Sequence, residues 1–221
     1  MPGELNPAWP IIQQLLPALQ RNIKRKEEIL MRISIRHSVY WITRTAVMTA
    51  LLVTVQFLTA SLGSQYVTGS AVNLLLAVSA FTFGPATGCT VGLISPIFAF
   101  IVGVGPVFPP LVPFIIIGNI AFVSSWFLLG KAAKTGDAAP LGRRKLFVFI
   151  SPVIAAVVKF AVLYAGVVLI ALPFILNVNE KQSAVLSLMF SYPQLITALI
   201  GGSLASAVAP ALSKALKLSG R

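Results

Sequence analysis

Few side chains in this 221-residue sequence are able to do chemistry. The acidic residues are Glu4, Glu27, Glu28, Asp137 and Glu180, the one histidine is His37 and the one cysteine is Cys89. None of the acids falls in the long apolar runs described below, which removes an intramembrane carboxylate relay and the paired aspartates of a membrane phosphotransferase. His37 precedes the first run, so a buried Ser-His pair or a His-rich nickel or cobalt site lacks its essential residue. A single cysteine allows neither a disulfide nor a cysteine metal cluster within the chain. No G-x-x-x-x-G-K-S/T segment is present to cradle ATP phosphates. The pattern predicts a chain that is not an enzyme, does not itself hydrolyse ATP, and carries no cofactor or metal.

One ionisable group does lie deep in an apolar run. Lys159 follows the start of its run by about 13 residues, or about 20 Å of helix, too far to snorkel out. An ammonium at that depth costs about 2.5–3.5 kcal/mol on insertion scales, and no embedded acid exists to pair with it. Either it bonds to helix-end carbonyls, faces water or sits uncharged, or it meets an anionic group of a solute. Other polar groups share this depth. Asn119 lies near the middle of the fourth run with Trp126 seven residues on and so on the same face, and Asn73 lies toward the outer end of the second. Gln56, Gln65 and Tyr66 surround the first outer connection. Ser187, Ser191, Gln194, Thr197 and Gly201 recur at spacings of 4, 3, 3 and 4 in the last run, which puts them within about 120° on one helix. That stripe faces either a solute or neighbouring helices. Tyr192 and Pro193 interrupt the same region, and Pro193 frees a carbonyl one turn earlier for a ligand hydrogen bond.

The elements that position these groups are membrane helices. Hydrophobic residues make up 57% of the chain and charged ones 10%, against about 25% charged in a soluble domain. A hydrocarbon core of about 30 Å takes about 20 apolar residues to cross. Six runs of about that size span 41–61, 69–83, 86–103, 110–130, 146–176 and 185–209. Of the 17 Lys and Arg residues, all but Lys159 and Lys181 fall before or at the start of the first run, between the fourth and fifth, or after the last. By the positive-inside tendency those segments are cytoplasmic. The expected fold is therefore an all-α integral membrane bundle of six transmembrane helices with both termini cytoplasmic. The net charge of +12 reflects that topology and not a nucleic-acid partner. Residues 1–38 form a basic, amphipathic extension with Ile11, Ile12, Leu15, Leu16 and Leu19 at helical spacing, suited to a membrane interface. An alternative start at Met31 would shorten it, and 39–221 form the membrane domain. Small residues at four-residue spacing, Ala46 and Ala50, then Gly84, Gly88 and Gly92, then Gly201, Ala205 and Ala209, mark faces where backbones approach closely, within the bundle or against another subunit.

The chain resembles the substrate-binding S components of energy-coupling factor (ECF) transporters. The segments that carry the resemblance are RTAVMTALL with Ala46 and Ala50, GSAVNLLLAVSAFTFGPATG, VGLISPIFAFIVG, PFIIIGN around Asn119, SPVIAAVVKF with Lys159, and SYPQLITALIGGSLA. The resemblance implies a solute-capturing subunit in the plasma membrane of a prokaryote. It would work with a membrane T component, docked on Ala46 and Ala50, and two cytoplasmic ABC ATPases. It also implies a pocket in the outer half drawing on Asn73, Asn119, Lys159, Tyr164, Tyr192 and Gln194. With no embedded acid to hold a cation, Lys159 favours an anionic vitamin or precursor such as pantothenate, nicotinate, biotin or a folate, with riboflavin left open. A stand-alone secondary carrier or channel for a small organic solute is the competing reading.

Overall fold

The computed structural model describes residues 9–132 and 141–219. Glu4, Lys134, Asp137 and Arg221 lie outside those residues, as do the side chains of Ile11, Ile12, Leu15, Leu16, His37, Ala209, Lys214 and Lys217. The first helix, α1, covers Trp9–Ala60. Its residues up to Thr43 form one compact unit and Arg44 onward belongs to a second. In the first unit every described side chain is exposed. At 100° per residue Leu19, Ile23, Leu30 and Ile33 fall within about 80° of one another, and Arg21, Arg25, Arg32 and Arg36 within about 60° on a different side.

Among the described residues of the second unit all regular structure is helical. After α1 come α2 (Gln65–Phe83), α3 (Pro85–Ile101) and α4 (Val112–Ala132), the last entered through a 3₁₀ turn at Pro109–Leu111. The helix α5 (Leu141–Leu163) continues as a π-helix over Tyr164–Ile175, and α6 (Glu180–Met189) and α7 (Tyr192–Ser219) complete the bundle. Five of the resulting spans have 19 residues or more, whereas α3 has 17. At 1.5 Å per residue α3 covers about 25 Å, close to the lower limit for a crossing. The six apolar segments of the sequence thus all become helix, and the chain is a multi-pass membrane protein.

Two expectations need correction. The last run is not one helix: the chain breaks between Met189 and Tyr192, because Pro193 has no N–H to offer the carbonyl of Met189. The segment also begins earlier than residue 185, at Glu180, where Asn179 and Gln182 form a reciprocal capping box that sets the start of α6.

The α1 segment from Arg44 turns Thr45, Met48, Thr49 and Leu52 inward, a one-sided spacing of three and four. Ala46, Val47, Ala50 and Leu51 on its other side are exposed. The other helices pack as neighbours, α2 with α7 and α3, α4 with α3 and α5, and α5 with α7. Their side chains bury two apolar clusters. One gathers Leu52, Leu76, Phe122, Trp126, Ala155 and Ala198; the other gathers Leu111, Leu163, Val167, Leu186 and Phe190. On α5 the first ends at Ala156 and the second begins at Leu163, so Lys159 stands between them.

Glycines set the closest helix approaches. A Cβ at Gly201 of α7 would stand 2.6 Å from both Asn73 Cβ and Ser70 O of α2, and one at Gly88 of α3 would stand 2.7 Å from Ala80 Cβ. Gly201→Ala is expected to overpack its contact at a cost of about 1–3 kcal/mol, read as earlier thermal unfolding of the detergent-solubilised protein. Val47→Ala on the exposed side of α1 should stay within about 0.5 kcal/mol of wild type. Unfolding of Gly201→Ala at the wild-type temperature would contradict this packing.

Candidate solute-binding site

Three helices bring the membrane-depth polar groups to one point. The Lys159 ammonium donates to Asn73 Oδ1 at 2.6 Å and to Asn119 Oδ1 at 2.8 Å, and it lies 5.6 Å from the centre of the Phe122 ring. Lys159 is 3% exposed, and both asparagines are buried as deeply. Neither amide is free to turn. Asn73 Nδ2 points to Thr197 Oγ1 at 3.5 Å, and that hydroxyl in turn donates to Gln194 O. Asn119 Nδ2 donates to Gly92 O at 3.3 Å. Gly92 allows that approach, since a Cβ there would sit 3.2 Å from Asn119 Cβ. Both amide carbonyls therefore aim at the ammonium, and the cation is held by neutral dipoles and an aromatic face without an acid. Helix-end carbonyls, water, an uncharged state and a solute group were the expected alternatives; the protein partners are instead side-chain amides from two other helices.

Above this cluster opens a cavity of about 420 Å³, within the range of small-molecule sites. Asn73, Asn119, Lys159 and Gln194 line it, together with the 63–65 connection and the 104–107 segment that follows α3. Gly105 lets that segment fold tightly back over the end of α3, where a Cβ would meet Phe100 N at 2.6 Å. These connections lie at the end of the bundle that the charge distribution assigns to the outside.

Tyr164 and Tyr192 do not join the cavity. Tyr164 follows Lys159 by five residues, about 140° around the helix from it; it is 37% exposed and lies against Phe160. Tyr192 precedes Gln194 by two residues and faces nearly the opposite way, 51% exposed. Trp126 shares the face of Asn119 but lies two turns deeper, in the first apolar cluster edge-on to Phe81. The polar stripe is divided by the α6–α7 break: Gln194 reaches the cavity and Thr197 supports Asn73, whereas Ser191 bonds locally to Leu188 O. The carbonyl freed by Pro193, Met189 O, is taken by protein and not left for a ligand. Gln65 Nε2 donates to it at 2.6 Å and Gln194 Nε2 at 3.2 Å, which ties the start of α2 to the α6–α7 junction.

Two contributors escaped the sequence reading. Phe122 was legible as a residue three beyond Asn119 on the same face. Ser95, buried and lining the cavity, had only its position before Pro96 to distinguish it. Among the described residues no group of histidines, cysteines or acids is arranged to hold a metal ion.

In comparison with known families, the model of the ECF transporter substrate-specific component matches residues 42–213. No curated protein and no solved structure matches the chain.

The cluster makes a thermodynamic prediction. Asn119→Ala removes one of two hydrogen bonds to a buried cation and is expected to cost about 1.5–3 kcal/mol. In a Lys159→Met background the same change should cost less by about 0.5–3 kcal/mol, because no charge remains to be held. Equal costs in both backgrounds, measured by thermal or denaturant unfolding, would mean that Asn119 acts independently of Lys159.

Proposed function

The chain belongs to the substrate-specific components of ECF transporters, and from that premise we propose that it captures an anionic vitamin or vitamin precursor in its outer cavity. Members of this family are substrate-binding transport subunits and not enzymes, and in general they work with a T component and ATPases. The observation that carries the finer reading is the buried Lys159 ammonium at the base of the cavity, whose protein partners are neutral amides. An anion arriving there would complete a charge-assisted interaction in a low-dielectric site, where such bonds are strongest. A cation would meet like charge. Asn73 and Asn119 hold the ammonium in place, and Gln194 stands at the wall.

Docking to the T component falls to Ala46 and Ala50. Gly88, Gly92 and Gly201 are engaged inside the bundle, whereas these two alanines lie on an exposed strip of α1 where another helix could approach closely. With the basic segments cytoplasmic, both chain ends and the two ATPases share the inner side of a prokaryotic plasma membrane. Residues 1–38 then form a basic cytoplasmic extension to the membrane domain of 39–221.

Affinity capture of the full chain from its native membrane should recover a second membrane subunit and ATPases. Ala46→Leu/Ala50→Leu should lose those partners while keeping ligand-induced thermal stabilisation. Lys159→Ala should keep the partners and weaken binding of the stabilising vitamin by about 10- to 100-fold, the equivalent of about 1.5–3 kcal/mol. Wild-type affinity in Lys159→Ala would refute the ion pair, and solute transport by the isolated chain in liposomes would favour a stand-alone carrier.

A further inference from the structure

Among the residues lining the cavity Lys159 alone is ionisable; the rest contribute amides, hydroxyls, backbone or hydrocarbon. The donors of the Lys159 cluster are equally few. The amide nitrogens of Asn73 and Asn119 point away to Thr197 and Gly92 O. Two of the ammonium's three N–H groups are taken by the asparagine carbonyls, which leaves one N–H for an incoming group.

One turn outward, the lining on α3, α4 and α5 is apolar. Ala99, Ile115 and Leu163 lie four residues outward from Ser95, Asn119 and Lys159 on their respective helices, so they form a collar about 6 Å higher. The remaining polar lining is neutral, with Gln194 about one turn outward from Thr197 on α7, Gln56 on α1, and Ser64, Gln65 and Thr68 toward the mouth.

Building on the capture reading above, we infer that the cavity selects a monoanion: a solute with one carboxylate-like group that enters first and binds Lys159, and with an uncharged body in the collar and mouth. Charge balance and layering require this orientation. A second negative charge on the solute would lie against the collar or the mouth with no counter-charge, where desolvation is not offset. A neutral solute forgoes the single charge-assisted contact on offer.

Thermal stabilisation of the purified full chain in detergent tests the inference with matched probes: nicotinate against nicotinamide, pantothenate against pantothenol, biotin against biotinamide, and pteroate, with one carboxylate, against folate, with two. For whichever skeleton binds, the monoanion should bind at least about tenfold more tightly than its neutral or dianionic twin. Lys159→Met, if its unliganded melting shows it folded, should reduce that preference to about threefold or less; if it does not fold, the wild-type ratios decide. A neutral or dianionic twin that binds as well as the monoanion overturns the inference and leaves the capture reading intact. Stabilisation by none of the probes overturns both.

Discussion

Most of the membrane domain can be understood from the need to bury one ammonium group. Lys159 lies too deep on α5 to reach either surface, and an uncompensated charge at that depth would be costly. The compensation comes from α2 and α4 through Asn73 and Asn119, which fixes the rotation of three helices relative to one another. The amide nitrogens carry the constraint further, to Thr197 on α7 and to the backbone of Gly92 on α3. Five helices are thereby registered on one charge. The glycines at 92 and 201 follow from the same need, since the asparagine-bearing helices must come close enough for amide groups to meet.

This node also separates two kinds of packing. Toward the end where Gly84 joins α2 to α3, the helices close on a continuous apolar cluster containing Phe122, Trp126 and Leu76. Toward the other end a cavity remains, because there the wall is made by connections as well as helices. The 104–107 segment folds back over α3, and the two glutamines on Met189 O join the start of α2 to the α6–α7 junction. The widened π-helix over Tyr164–Ile175 extends α5 beside this region and ends with Leu176 N–H donating to Ala171 O. A bundle closed at one end and open at the other has a direction, and the polar residues are distributed accordingly.

The sequence revealed what depends on hydropathy and on isolated polar residues in apolar surroundings. All six runs became helix, and Asn73, Asn119, Lys159 and Gln194, singled out for depth and type, line one cavity. Its failures share a physical cause. Tyr164 and Tyr192 belong to the pocket that the resemblance implies, but their angular positions put them on other faces of their helices. The stripe from Ser187 to Gly201 places all five residues on one helix despite the interruption at Pro193, whereas the missing N–H at that proline ends α6 and starts α7 afresh. That the freed carbonyl would find two glutamine amides was not legible, since Gln65 is more than a hundred residues away and the contact exists only after α2 has packed on α7.

The same sorting explains why small residues mean different things on different helices. Four-residue repeats of glycine and alanine are frequent in membrane helices, so the spacing alone does not distinguish an internal contact from an external one. Space around each Cβ does distinguish them. At Gly88, Gly92 and Gly201 a methyl group would press on a neighbouring helix of the same chain, so these glycines are required by the bundle itself. Ala46 and Ala50 are exposed, while Met48 and Leu52 on the same helix supply its inward packing. Replacing the two alanines with larger side chains would leave the internal contacts of α1 unchanged. What their small size preserves is a shallow strip on the outer surface, and a strip of that kind matters only to something that comes up against it.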